Sequence, residues 1–252
     1  MTTSNEPPKK KRRLPTLDDS FSSDLRPTDS PALHQGRKRA HPHVQGQWAA
    51  HVYLELELDS ALRRLLKKAV DASSESFASE DIHFLFDPPP LNTEGRRSDD
   101  SLSTLHISLS RPLYIQTNQK VDLRASVAKV ANSIVGFSSR YASFGMLEND
   151  EKNRRFLAIE IGQGYEQLKN LVRKLDVELD QMRLPTYYEN PRFHTSIAWT
   201  SIPRPDARLP FEEDDLAKLD ASFGQRLRQG EPWVGSIAIK IGQDIHRYTL
   251  KG

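Results

Sequence analysis

Cysteine is absent from the 252 residues, and methionine and tryptophan occur three times each. The missing thiols exclude disulfides and thiolate metal sites and accord with a reducing compartment. No apolar run approaches the ~18 residues that a membrane-spanning helix requires, and the N-terminus carries no signal-peptide core. The chain therefore reads as a soluble intracellular protein with no membrane partner. A strong charge imbalance is missing too: 36 Lys/Arg stand against 34 Asp/Glu, a net charge of +2. With 37% hydrophobic residues and a mean hydropathy of −0.64, the sequence is too polar to be packed throughout, so part of it is expected to be disordered.

That part is residues 1–40, rich in Pro, Ser, Asp and Lys/Arg, with isolated apolar residues and no period. It contains Pro7-Pro8-Lys9-Lys10-Lys11-Arg12-Arg13, a basic run of the nuclear-import type. Lys9, Lys10, Lys11, Arg12 and Arg13 would meet an import receptor, which makes the nucleus the expected compartment; a merely solvated charge run has the same composition. Through Gln47 nine Lys/Arg stand against five Asp/Glu, a net +4, so the remaining residues carry −2 of the total of +2. A folded region this close to neutral is not a broad nucleic-acid platform. Acting on RNA, it would grip a few nucleotides, which favours an end-processing enzyme over a coating protein.

The chemistry-bearing pattern is a repeated step. Leu105-His106-Ile107-Ser108-Leu109-Ser110 and Phe193-His194-Thr195-Ser196-Ile197-Ala198-Trp199 are apolar, β-branched runs that read as strands. Side chains alternate across a strand, so His106 and Ser108 share one face, as do His194 and Ser196. Ile107 and Leu109 back the first step, and Phe193, Ile197 and Trp199 the second. A lone His-x-Ser step carries little weight, because most such histidines are surface or core residues. Two copies 88 residues apart with matched parity are a stronger signal. Two imidazoles that titrate near neutral pH can take one proton and give another, and each hydroxyl can donate to an anionic oxygen. Such a set suits a phosphodiester whose own hydroxyl is the nucleophile; it calls for no metal and no cofactor.

Between the two steps the periodicity alternates between strand and helix. His51–Leu56 reads as a strand, and Ser60–Ala72 as a helix capped by Asp59 or Ser60, with Leu62, Leu65, Leu66 and Val70 on one face. Ile82–Phe86 reads as a buried strand in which His83 is a core or edge residue. Residues 87–104 are a long Pro-, Gly- and charge-rich connection. Lys120–Phe137 has helical spacing, with Leu123, Val127, Val130, Ile134 and Val135 inward. Ser143–Leu147 and Arg155–Ile161 read as strands, the second central. Gln163–Met182 is a helix with a Leu168/Leu171/Leu175/Leu179/Met182 stripe, stopped by Pro185. Phe211–Arg228 reads as a helix, and Val234–Ile241 and Ile245–Leu250 as closing strands, with His246 structural or exposed. The order predicts an α+β fold over residues 41–252. Its two pseudo-symmetric lobes of antiparallel sheet plus helices, one His-x-Ser strand in each, would face a central cleft. A cleft complete within one chain makes a monomer the default.

Four stretches carry a family resemblance: Gly36-Arg37-x-Arg39-x-x-Pro42-His43-x-x-Gly46-x-Trp48-Ala49-x-His51-Val52-Tyr53; the first His-x-Ser strand; Glu151-Lys152-x-Arg154-x-Phe156; and Tyr187-Tyr188-x-x-Pro191-x-Phe193-His194-x-Ser196-x-Ala198-Trp199. The duplicated step resembles the two-histidine (2H) phosphoesterase superfamily. The first and last stretches resemble, within it, the U6 small nuclear RNA phosphodiesterase family. The resemblance implies a nuclear, metal-independent 3′-to-5′ exoribonuclease that trims the uridine tail of U6 RNA and leaves a 2′,3′-cyclic phosphate or 3′-phosphate. It implies His106 and His194 as general acid and base, with His194 taken as base and His106 as acid, and Ser108 and Ser196 on the non-bridging oxygens. Tyr188 would stack on the terminal base, a sequence-tolerant contact worth roughly 1–3 kcal/mol; a core tyrosine on a strand flank is the alternative. Asn190, Pro191, Arg192 and Asp150 complete the implied substrate contacts. Asn190 stands where the family favours Asp, and Asp150 where it can place a uracil-contacting Gln, which leaves base preference open.

Two other readings remain at this stage. A cyclic phosphodiesterase would use the same acid–base pair with water as nucleophile. A non-catalytic RNA-binding assembly factor would bind without forming product.

Overall fold

The computed structural model describes residues 44–74, 82–86, 104–202 and 209–252. The expected disordered tail, the import-type run, nearly all of the 87–104 connection and most of the Pro-rich 203–210 loop lie outside the described residues.

Strand β1 (Gln47–Glu57) is the spine of the first lobe. Its alternation is strict: Ala50, Val52, Leu54 and Leu56 are buried, while His51, Tyr53 and Glu55 face the other way. On one side β1 pairs antiparallel with β10 (Ser236–Ile241), which pairs in turn with β11 (Asp244–Thr249). On its other side lie β3 (Thr104–Ser108) and β4 (Leu113–Gln116) in line, β3 on residues 53–57 and β4 on residues 47–50. The break between them is a crook at Ser110-Arg111-Pro112. Ser110 Oγ accepts a hydrogen bond from the Val52 amide (3.0 Å), while the amides of Leu109 and Ser110 both donate to the Val52 carbonyl. Helix α2 (Gln119–Ala131) packs on this sheet through Leu123, Val127, Val130 and Ala131. It stops six residues short of the expected end, and Val135 is 60% exposed rather than inward.

The second lobe has the strand order β2 (His83–Phe84), β8 (His194–Ser201), β7 (Arg154–Ile161), β6 (Tyr141–Glu148), all antiparallel. The expected 82–86 strand shrinks to two residues on the sheet edge, where His83 stacks on Trp199 with ring centroids 4.3 Å apart. β7 is flanked on both sides, as its uniformly apolar centre implies. Helix α1 (Ser60–Ser74) covers this lobe with Leu66, Ala69 and Val70 buried, and Asp59 is its cap, accepting from the amides of Ala61 and Leu62 at 2.8 and 2.7 Å. Helix α3 (Tyr165–Gln181) buries Leu168, Leu171, Leu175 and Leu179 and packs against α2. It closes at Arg183, whose φ of 56° lets the Leu184 amide donate back to the Leu179 carbonyl, before Pro185 is reached. The expected 211–228 helix is α4 (Glu213–Leu219), loosened by a π-helical turn at Asp220–Gly224 and resumed at Gln225–Leu227. The closing strand expected from Val234 splits at Gly235: β9 (Trp233–Val234) pairs with β5 (Phe137–Ser138), and only β10 joins the large sheet.

The lobes are not the two halves of the chain. β10 and β11, from the C-terminus, complete the sheet that β1 starts, whereas β2, from the N-terminal half, edges the sheet of β6–β8. Among the described residues no helix is long and apolar enough to cross a membrane.

Candidate active site

The inward faces of the two sheets enclose a cleft of about 710 Å³, within the roughly 300–1,000 Å³ of small-molecule sites. β3 and β8 run side by side between the sheets, so both His-x-Ser steps reach the same cleft: His106, Ser108, His194 and Ser196 all line it. Their positions within the ladders also correspond. His106 is the register partner of Glu55 and Ser108 of Tyr53; His194 is the partner of Glu160 and Ser196 of Ala158. Each glutamate holds an arginine, Glu55 with Arg247 (2.6 Å) and Glu160 with Arg192 (3.1 Å to Nε).

The backing of the second step differs from expectation at Trp199. The β7–β8 register slips by one residue at Ile197, so that Leu157 meets Ala198 and Ala158 meets Ser196. Beyond this bulge the parity is reversed, and Trp199 pairs with Phe156 on the same face as Ser196. Phe193, Thr195 and Ile197 are the residues behind His194 and Ser196, all nearly or fully buried.

His194 Nδ1 donates to the Arg192 carbonyl at 2.6 Å. That bond uses one ring nitrogen and leaves Nε2 for the cleft. Burial lowers the pKa of His194, a lowering opposed by the Arg192 carbonyl, reinforced by the Arg192 charge and opposed again by Glu160. His106 is also lowered, by removal from water first and by His194 second. Both imidazoles are therefore biased toward the neutral form.

Sequence reasoning missed a third histidine. His51 lines the cleft with Nε2 3.0 Å from Ser108 Oγ, stacked on Tyr53 (5.3 Å between centroids) and edge-on to His106 (5.9 Å). Its pKa falls to about 4, chiefly through burial and secondarily through His106. The signal for it was the alternation of β1, which sets His51, Tyr53 and Glu55 on one face, but the partner is 57 residues away.

Three separate loops form the rim. Asp150 projects from the β6–β7 turn, where Asn149 Oδ1 accepts from the amides of Asn153 and Arg154. The Tyr188 hydroxyl donates to Asp150 at 3.1 Å, Arg111 Nη2 donates to Asp150 at 3.0 Å, and the Arg111 guanidinium lies over the Tyr188 ring at 4.9 Å. Of the two adjacent tyrosines, Tyr187 is half-buried, stacks on Phe193 and lines the cleft, and Tyr188 is the exposed one at 44%. Asn190 and Arg192 line the cleft, but Pro191 does not. Pro191 is buried under the loop with its carbonyl accepting from the Tyr165 hydroxyl (3.1 Å), so it shapes the Tyr188 loop instead of contacting the cleft. Among the described residues no three of His, Asp or Glu gather as metal ligands.

Two facing antiparallel lobes with one His-x-Ser strand each define a two-lobed α+β class with a two-histidine cleft. Within that class the chain belongs to the HVSL family, described as an uncharacterised conserved protein, whose profile matches residues 14–249. It is 27% identical over 287 aligned residues to U6 snRNA phosphodiesterase 1 of Neurospora crassa, covering 96% of this chain and 76% of that one. Among solved structures it is similar to Kluyveromyces marxianus Usb1, with a TM-score of 0.52, 16% identity and coverage of 80% of this chain and 98% of that one. The same protein with uridine monophosphate superposes with a TM-score of 0.51, 16% identity and the same coverage.

Proposed function

We propose that this protein is an RNA phosphodiesterase that shortens RNA from its 3′ end, with the uridine tail of U6 small nuclear RNA as its substrate and the nucleus as its place of work. The observation that carries this reading is the meeting of His106 and His194, each beside its serine, in one cleft rimmed by an exposed tyrosine. The name of the Neurospora relative and the uridine monophosphate of the Usb1 complex support the substrate.

In this reading the terminal nucleotide lies against Tyr188 and its linking phosphate between the histidines. Neutral His194, its Nδ1 proton committed to the Arg192 carbonyl, accepts the 2′-hydroxyl proton of the penultimate nucleotide at Nε2. The 2′-oxygen attacks the adjacent phosphorus, the bond to the 5′-oxygen of the last nucleoside breaks, and His106 in its protonated form gives that oxygen a proton. The products are a shortened RNA ending in a 2′,3′-cyclic phosphate and a free nucleoside. Ser108 and Ser196 donate to the non-bridging oxygens as charge develops there. The phosphodiester anion between the rings favours the imidazolium that the acid role needs. Lys9–Arg13 serve import, and one chain suffices for the reaction.

The test is incubation of 5′-labelled, uridine-tailed RNA with the protein in excess EDTA, beside His106→Ala and His194→Ala. A 3′-shortening ladder lost in both variants is expected, with loss of about 10²–10⁴ for each acid–base group. A ladder that survives either substitution overturns the assignment. Intact RNA together with an opened 2′,3′-cyclic substrate would move the protein to the cyclic-phosphodiesterase reading.

A further inference from the structure

We propose that His51 is a positioning residue that aims the Ser108 hydroxyl at the phosphate. This rests on the function proposed above but concerns a contact present in the protein without RNA.

The argument begins with the strand. β1 alternates so that Ala50, Val52 and Leu54 enter the core, which obliges His51 and Tyr53 onto the opposite face, where His51 lines the cleft. Ser108 is the register partner of Tyr53, so the imidazole two residues before Tyr53 lies diagonally beside Ser108, within reach of a side-chain bond. The Nε2–Oγ separation is 3.0 Å. The His51 ring cannot easily turn away, because Tyr53 is stacked on one face with an interplanar angle of 19° and His106 meets it edge-on at 87°.

The direction of that bond decides what Ser108 can do. A serine hydroxyl has one hydrogen to give and two lone pairs to receive with. Were His51 Nε2 the acceptor, the single Ser108 hydrogen would point at His51 and none would remain for a phosphate oxygen. With the proton on Nε2, His51 donates to Ser108 Oγ, and the Ser108 hydrogen is left to point into the cleft. A hydroxyl that accepts one bond is also polarised toward giving another. His51 stays neutral across the physiological range, its pKa being near 4, so it holds this arrangement without titrating.

Among the described residues the second lobe has no counterpart. The register partner of Ser196 is Ala158, and the β-bulge follows directly. Ser108 is therefore the preset donor and Ser196 the adaptable one, an inequality that the duplicated His-x-Ser step conceals.

The experiment uses the full chain and compares His51→Ala, His51→Gln, Ser108→Ala and the double variant His51→Ala/Ser108→Ala on uridine-tailed RNA. Thermal melting verifies that each is folded. Removing a direct oxyanion donor costs about 10²–10³ in kcat; His51→Ala is expected to lower kcat by about ten- to a hundred-fold with little change in KM. The double variant should be no slower than Ser108→Ala, since His51 acts through that hydroxyl. His51→Gln, which keeps an N–H of similar reach, should recover part of the loss. Both limbs of the pH–rate profile should persist in every His51 variant, whereas a merely structural role would leave no such coupling to Ser108. A kcat within about twofold of the parent in His51→Ala, or multiplicative losses in the double variant, overturns the proposal. Nitrogen-15 NMR of the RNA-free protein supplies a readout independent of activity: an Nε2–H tautomer for His51 whose signal moves in Ser108→Ala. If the parent protein leaves RNA intact, the function proposed above fails, while the tautomer still decides the contact; an Nδ1–H tautomer overturns it.

Discussion

His194 gives its Nδ1 proton to the carbonyl of Arg192, two residues earlier on the approach to β8, at 2.6 Å. A backbone acceptor so close in sequence is fixed by the strand itself, so the free nitrogen faces the cleft whatever the surrounding side chains do. Arg192 contributes twice, with its carbonyl to His194 and its guanidinium to Glu160, the register partner of His194.

The pH–rate profile follows from the two imidazoles. His106 and His194 are both lowered from 6.5, burial being the larger cause in each. The profile of kcat/KM reports the free protein's acid and base, so its maximum should fall below pH 6.5. Initial rates across pH 4–9 at constant ionic strength measure this; a maximum at pH 8 would contradict it.

Tyr188 separates ring from hydroxyl. Tyr188→Phe keeps the stacking face and loses only the exposed hydroxyl contacts with Asp150 and Arg111, which remain paired with each other, so KM should change by less than about threefold. Tyr188→Ala should raise KM by about 5- to 150-fold, the equivalent of the roughly 1–3 kcal/mol of a base–aromatic stack. Fluorescence anisotropy with a short uridine oligomer gives the same comparison without turnover.

Stability should respond to pH through His51. Its folded pKa of about 4 lies below the ordinary 6.5, so the unfolded chain binds more protons between those values, and stability rises with pH across that window. The contribution is complete above pH 6.5 and is lost as pH falls toward 4. In urea titrations from pH 4 to 7, His51→Asn should show a shallower dependence than the parent protein.

Gly242 tests the hairpin that seats the last strand. The two residues Gly242-Gln243 join β10 to β11 with Gly242 at φ 61°, the conformation for which a two-residue turn takes glycine at its first position. A Cβ there would also come within 2.9 Å of the Trp48 ring. Gly242→Ala is expected to cost about 1–2 kcal/mol, measured as a lowered denaturation midpoint with an unchanged slope.

By itself the sequence determined what is local and periodic. The alternation in 105–110 and 193–197 set each histidine beside its serine, because side-chain parity along a strand needs no tertiary partner. The leucine stripe of α3 and the cap at Asp59 were legible for the same reason. Tertiary structure decided what depends on register and on distant segments. The slip at Ile197 turned Trp199 onto the face of Ser196, where it stacks with His83, a one-residue event that no alternation announces. The return of β10 to the side of β1 made the lobes from both ends of the chain, laying residues 50–54 against 237–241, segments far apart in sequence. The rim came from Arg111, Asp150 and Tyr188, each on a different loop and each polar, a combination that shows no period. The meeting of His51 with Ser108 belongs to the same class: each position is predictable along its own strand, and their contact exists only because antiparallel pairing lays residue 53 against residue 108.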